Sequence, residues 1–413
     1  MRALLIATGY LPYTFSECLC NAKLVYALQE KGWEVDVISR VSRGFSYSVE
    51  WQEPWLCLQP NVYEVSYPMG NKFIRTWDLL RSTLQMGGYP LDGIRWARRA
   101  YQKAVELHKV KHYDIVLTRS PNDMVHIVGH KLKKHFGIRW VANWNDPADV
   151  IWPSEIPPYT PIRQKGIKKI INRRYVDFCI NKSDISSFPA QTLLEHFKVF
   201  FPSLKFEKSI VIPHIGLSDT LFSPVKYEKK NQFRLCHAGN LASNRNPELL
   251  FQVMRELIDE HNVSISLDIM GLMDAYMSDL VKKYRLEDNV HFIGSYPYIE
   301  VLNKMGDYDV LVLLEAKMHT GIYFASKIVD YAQVGRPIFA ISPATGFAKS
   351  VISQYGGGVV VNNEEHQDIK SGLLKLYAAW QAGELIERYN TQQLYSQFSS
   401  DRVVEIYNSI VKY

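Results

Sequence analysis

No apolar run in these 413 residues approaches the ~18 that a membrane-spanning helix needs, which argues against an integral membrane protein. Cysteine is sparse. Cys18, Cys20, Cys57, Cys179 and Cys236 are odd in number and lack metal-ligand spacing, which excludes a disulfide framework and a zinc module and reads as reduced thiols in a cytoplasmic protein. No glycine-rich loop runs into Lys-Ser or Lys-Thr, so a P-loop enzyme is excluded. Low-complexity tracts and short-period repeats are missing too. Charge of one sign is slight. The net +6 favours an anionic partner without identifying one, and nothing in it points to nucleic acid.

What is present fits a soluble globular chain, with 47% apolar and 22% charged residues. The length is too great for one core and suits two domains of about 200 residues each. The start, MRALLIATGY, has too short an apolar part for a secretory signal and reads as a first buried strand over Arg2 to Ala7. Thr14 and Glu17 form a possible capping box for a helix that Gly32 ends. Further strands are expected at Glu34 to Ser39, Asp114 to Thr118, Arg139 to Asn143 and Asp184 to Phe188.

The second half repeats the grammar. Strands are expected at Phe233 to Ala238, Ser264 to Met270, Asn289 to Ile293, Asp309 to Leu314, Pro337 to Ser342 and Gly358 to Val361, with a helix over Pro247 to Glu260. Strands alternating with helices imply parallel βαβ sheets. The stretch Ile210 to Pro224 lies between the halves. The expected division is 1–215, 216–400 and a helix over 401–413 that returns to the first domain. An aromatic-rich excursion, about 42–99, is too long for an ordinary αβ connection and must carry its own helices.

The richest stretch is SKIVDYAQVGRP, from Ser326 to Pro337. It sets Ser326 and Lys327 in the first turn of a helix behind a buried strand, where anionic ligands sit. Asp330 follows one turn on and suits a sugar hydroxyl. Gly335 and Pro337 stop the helix. A nucleotide sugar offers both a diphosphate and a ribose. The bland alternatives are an ordinary first-turn lysine and a solvent-facing carboxylate. Asp307-Tyr308-Asp309 spells a metal-binding Asp-x-Asp, but it abuts a buried strand, so no metal site is expected.

Pro161 to Phe178 reads as a basic amphipathic helix, with Ile167, Ile170, Ile171, Tyr175 and Phe178 on one face. The sharp reading is docking on an anionic membrane. The favoured reading puts the stripe in the core and the basic face in solvent.

Four segments in order, HAGNLASNRNPELL from His237, DIMG ending at Gly271, NVHFIGSYPY from Asn289 and the Ser326 helix, resemble the second half of retaining GT-B glycosyltransferases. The group is the group 1, family 4-like one that includes bacterial surface-polysaccharide transferases. IPHIGLSDTLFSP from Ile212 is similar to its inter-domain signature. The resemblance covers nearly the whole chain. It implies an α/β fold of two doubly wound Rossmann-like domains facing a cleft. It also implies transfer from a nucleotide sugar, UDP- or GDP-linked, to a saccharide or lipid-linked saccharide, with no metal or other cofactor.

Carried over by position, the resemblance puts Gly239, Asn240, Arg245, Ile293, Gly294, Tyr296, Thr320, Gly321, Ser326, Lys327 and Asp330 on the donor. Arg245 stands where the family has Lys, and Asn240 where it has Arg, so Lys327 is expected to supply the second cation. Asp330 takes the place of the second Glu of a double-Glu motif. Ile322 takes the first, so Glu315, His319 or Thr320 is expected to reach the sugar. Asn145 stands at the family's His. Asn145 and Asp146, with Lys327 and Arg245, form the expected catalytic set, although Asn145 and Asp146 equally suit a helix cap. Ser16, Arg119, Asn122 and His126 are the expected acceptor side, with a surface histidine the bland reading of His126. Arg245 has a bland alternative as an ion-pair partner of Glu248. The place expected is the cytoplasm, with loose attachment to the inner face of the membrane. A GT-B-type sugar-nucleotide epimerase and a non-catalytic nucleotide-sugar binder are the rival readings.

Overall fold

A computed structural model describes residues 1–11, 16–41, 57–58, 61–68, 70–120, 123–153, 166–241 and 245–411, apart from the side chain of residue 206. The order is β1 Arg2–Ala7, α1 Ser16–Glu30, β2 Glu34–Arg40, β3 Val62–Val65, α2 Lys72–Met86, α3 Ile94–Lys111, β4 Ile115–Arg119 and α4 Val125–Phe136. β5 Arg139–Asn143, α5 Ile167–Lys182, β6 Ile185–Phe188, α6 Gln191–Phe200 and β7 Ser209–Val211 follow. These strands form one parallel sheet in the order β3-β2-β1-β4-β5-β6-β7.

The second sheet belongs to β8 Phe233–Ala238, α7 Glu248–His261, β9 Ile265–Met270, α8 Ala275–Lys283, β10 Val290–Phe292, α9 Tyr298–Met305, β11 Val310–Leu314, α10 Lys327–Val334, β12 Ile338–Ser342, α11 Phe347–Tyr355 and β13 Gly358–Asn362. It is also parallel, ordered β10-β9-β8-β11-β12-β13. Four helices close the chain: α12 His366–Ala382, α13 Leu385–Arg388, α14 Gln392–Ser396 and α15 Ser400–Val411. This is an α/β chain with two doubly wound sheets.

The central strands are buried on both faces, as parallel strands under helices must be. Ala3, Leu4, Leu5 and Ile6 of β1 have no exposed surface, and neither do Val310, Leu311 and Val312 of β11. Each sheet reverses direction once, between β1 and β4 and between β8 and β11. Loops at the carboxyl ends of strands beside such a reversal part from one another and leave room for a ligand.

Contact density divides the described chain into two compact units, one of 1–153, 166–215 and 403–411, the other of 216–402. The end of α15 belongs to the first unit, where Trp33 donates its indole N–H to Asn408 Oδ1 at 3.0 Å. No helix among the described residues is long and apolar enough to cross a membrane.

One expectation needs correction. The stripe on the 161–178 helix is only partly core: Tyr175 is buried, but Ile167 and Ile170 are 71% and 54% exposed. Residues 161–165 lie outside the described residues, as does Thr14 of the expected capping box. Glu17 accepts from Asn145, just past β5, as set out below.

Candidate functional site

In the second unit, β8 delivers Gly239 to the carboxyl edge of the sheet. Its φ of 116° is open to glycine and strained for other residues. A Cβ there would also stand 2.9 Å from Lys327 Nζ, so the ammonium rests directly on the glycine backbone. Asn240 turns away: its Oδ1 accepts from the Leu272 amide at 2.8 Å and ties the loops after β8 and β9 together.

Lys327 opens α10, directly after the N-cap Ser326, which makes no side-chain cap bond. Tyr331 fixes the helix: its hydroxyl accepts from the Ala238 amide at 3.1 Å and donates to the Val312 carbonyl at 3.3 Å. The ammonium is therefore positioned by β8 and β11 together. One turn on, Asp330 accepts a hydrogen bond from Tyr298 at 2.7 Å. That bond, from a largely buried Tyr298, orients the carboxylate.

The electrostatics are unusual. Burial and the Arg245 guanidinium push Lys327 down to about 8, against the pull of Asp330. Glu315, just past β11, is pushed up to about 7 by burial, and Arg245 opposes that rise. His237 lies well below the ordinary range because it is buried, with Lys327 adding to the effect. Its Nδ1 donates to the Val312 carbonyl at 2.8 Å, which leaves Nε2 as a buried acceptor without a partner among the described residues. Glu248 pairs with Lys283 at 2.5 Å, so the bland role for Arg245 is not taken up. Neither Lys327 nor Arg245 makes an ion pair with any described residue. A lysine depressed by a neighbouring guanidinium, with neither cation ion-paired among the described residues, forms a site for an anion.

The other residues expected on the donor lie in the loops after β10 and β11 of the same unit. Gly294 has a φ of 87°, and Tyr296 donates to the Ile293 carbonyl at 2.7 Å while Lys304 covers its ring at 4.4 Å. Thr320 Oγ1 lies 3.2 Å from His319 Nδ1 and 3.3 Å from Thr345 Oγ1. Gly321 bridges to Gly346. Ile322 is buried, which suits an apolar residue at the place of a missing carboxylate. Asp309 accepts from Tyr227 at 2.6 Å and from the Arg234 amide at 2.7 Å, a structural use of the Asp-x-Asp run.

The first unit builds a different cluster at its own reversal point. Asn145 Nδ2 donates to Glu17 Oε1 at 2.6 Å and to the Ser120 carbonyl at 3.1 Å. Its Oδ1 accepts from Arg119 at 3.3 Å, and Arg119 also donates to Tyr407 at 3.3 Å. Arg119 Nε stands 3.9 Å from Glu17 Oε1. Burial lifts Glu17 to about 8, with Arg119 resisting, and holds His214 down at about 4. Asn145 and Asp146 do not cap a helix. The next element is a short turn, Asp149–Ile151, preceded by Ala148 and lacking any side-chain cap.

His126 is neither surface nor acceptor-facing. It has no exposed surface, packs on Trp144 and lies 2.8 Å from Thr118 Oγ1. It sits on the inner face of α4, which corrects the expectation of a surface histidine. Ser16 is the exposed first residue of α1. Asn122 lies outside the described residues. Sequence reasoning gave Glu17 no site role and left out the bond from Tyr298 to Asp330. The pairing of Glu17 spans 128 residues of chain, and no local motif announces it.

Residues 219–393 match the model of the family described as glycosyl transferases group 1. No curated protein matches the chain in sequence. Solved structures share its fold at low identity. Sucrose-phosphate synthase from Thermosynechococcus elongatus is 14% identical with a TM-score of 0.68, covering 100% of this chain and 98% of the other. A glycosyltransferase from Rickettsia africae is 13% identical with a TM-score of 0.69, covering 100% and 97%. HepE of Anabaena, solved with UDP and glucose, is 14% identical with a TM-score of 0.65 and full coverage of both chains.

Proposed function

As this enzyme carries a glycosyl transferases group 1 domain on the GT-B fold, we propose that it moves a hexose from a nucleotide sugar to a saccharide or lipid-linked saccharide with retention of anomeric configuration. One observation carries the reading: Lys327 Nζ seated on Gly239, next to Arg245, with neither ion-paired to a carboxylate among the described residues. That arrangement suits a diphosphate. In a retaining transfer the departing diphosphate gathers charge and takes the acceptor's proton. Cations already in place stabilise it without reorganising, and losing one such contact typically costs about 2.7–4 kcal/mol of barrier.

Asp330, aimed by Tyr298, suits the ribose hydroxyls. The backbone from Ile293 to Tyr296 suits the base, and Glu315, His319 and Thr320 suit the sugar. A uridine nucleotide is the first choice, supported by the UDP bound to HepE; a guanosine nucleotide is the second. No metal is needed when two side-chain cations carry the leaving group. The first unit is assigned the acceptor, with Asn145, Asp146 and Glu17 at its sheet edge and Ser16 and Arg119 nearby. The setting that fits is bacterial surface-polysaccharide synthesis at the inner face of the cytoplasmic membrane, with the protein held there loosely.

Calorimetry with UDP-, GDP-, CMP- and dTDP-sugars, followed by transfer assays on the binders, tests this. Donor binding with glycosyl transfer supports it. An epimerised nucleotide sugar formed without acceptor would replace it with the epimerase reading, and binding without any transfer would leave only a nucleotide-sugar binder.

A further inference from the structure

Helix α2 is inside out. Its buried side holds Asp78, Ser82 and Met86. Asp78 pairs with Arg95 at 2.8 Å and Ser82 donates to the Gly88 carbonyl at 3.0 Å. Its outer side holds Phe73, Trp77, Leu80 and Leu84, which are 88%, 63%, 50% and 80% exposed. Their spacing of four, three and four residues sets them on one helical face. A helix at a protein surface ordinarily turns such a face inward.

The neighbouring helix extends the patch. α2 packs beside α5, and the chain leaving α2 passes so near that a Cβ on Gly88 would lie 2.0 Å from the Ile171 carbonyl oxygen. The first turn of α5 contributes the exposed Ile167 and Ile170. Single exposed apolar residues are ordinary, but a contiguous set marks a contact surface.

The rim shows which partner fits. α2 exposes Lys72, Arg75 and Arg81, and α5 exposes Lys168, Arg173 and Arg174. Each helix has one acid. Asp78 faces inward on its arginine, and Asp177 accepts from the Ser203 hydroxyl. An apolar stripe carrying Trp and Phe, edged by cations of one sign, matches the headgroup layer of an anionic bilayer. A second copy of the chain fits poorly, because a two-fold contact would set this positive rim against itself.

We infer that the outer face of α2, with the first turn of α5, docks the protein on an anionic phospholipid surface, the stripe entering the headgroup layer and the basic rim pairing with lipid phosphates. The inference rests on the lipid-linked acceptor reading for its purpose, although its physics is independent of the donor site. It also moves the contact from the basic helix of the sequence reading to α2, where the larger apolar side chains lie.

Sedimentation with phosphatidylcholine vesicles, with and without phosphatidylglycerol, tests it in the full chain. Binding is expected to the anionic vesicles only, weakening as salt rises. The double variant Phe73→Ser/Leu84→Ser should bind about tenfold more weakly, and so should Lys168→Gln/Arg174→Gln. All four positions are exposed, so circular dichroism and UDP affinity should match the unsubstituted protein. Equal binding by both variants, or none by the unsubstituted protein, would overturn the inference. So would a dimer that the first variant dissociates in the absence of any lipid binding. Vesicle binding without UDP binding would keep this surface and sink the donor reading; UDP binding without vesicle binding would do the reverse.

Discussion

The two sheets offer the same edge twice and fill it in opposite ways. At the first reversal point, Arg119 is met by Asn145, Tyr407 and, at 3.9 Å, Glu17. At the second, Lys327 and Arg245 stand together with no ion pair to any described residue. The difference teaches which edge has charge to spare. Arg119 already commits Nη1 to Tyr407 and Nη2 to Asn145, so pulling it toward a ligand would break bonds already made. Two neighbouring cations gain by meeting an anion, so on the proposed function the donor's charge belongs at the second edge. Geometry that recurs on one fold thus acquires separate tasks through the partners each cation finds.

The sharpest way to break this contrast is Lys327→Ala. Charge-assisted hydrogen bonds contribute roughly 1.5–3 kcal/mol, so UDP affinity by calorimetry should fall about 10- to 100-fold. Stability without nucleotide should hold, since the lysine is there at the expense of burial and repulsion from Arg245. Unchanged affinity would mean that the second edge, too, is only scaffold. Gly239→Ala comes next. Its φ of 116° and the ammonium on its backbone make a methyl group strained there, by roughly 1–3 kcal/mol. A lowered urea midpoint together with weaker UDP binding is expected; a loss of one alone would separate backbone strain from displacement of the lysine.

The pH dependence is smaller but has a definite sign. Lys327, at about 8, is mostly charged at neutral pH and neutral above it. A bound diphosphate favours the charged form, so affinity should decline as pH rises through about 8, by at most about tenfold per unit for one proton. Lys327→Arg should flatten that decline, because a guanidinium does not titrate there.

Much of this second edge was legible in the sequence. Buried parallel strands are continuous apolar runs, and β1, β5 and β8 fall at the bounds their composition implies. Helix α10 is legible because Gly335 stops it in a left-handed cap. The outer strands of the first sheet were not, because β3 and β7 are only partly buried and lack a long apolar run. Periodicity shows which residues share a face but not which way that face points. Hence the stripe on α2 went unremarked, the first turn of α5 was expected inside, and His126 was placed outside. The use of Glu17 was invisible because its partners lie on β4 and just past β5, far along the chain.

The least of the expected effects probes the first edge. Burial raises Glu17 from its ordinary 4.5 to about 8, so the folded protein holds a proton there that the unfolded chain has released. The stability from that proton is complete below about 4.5 and is lost as pH rises through about 8. The slope is at most about 1.4 kcal/mol per pH unit. Glu17→Gln mimics the protonated form and can still accept from Asn145 Nδ2. It should therefore remove this slope from urea unfolding measured across neutral pH, with little change in stability at low pH. UDP affinity should stay as it was, because the cations that answer the diphosphate belong to the other sheet. A fall in UDP affinity as large as that of Lys327→Ala would erase the contrast and place Glu17 among the groups that respond to the donor.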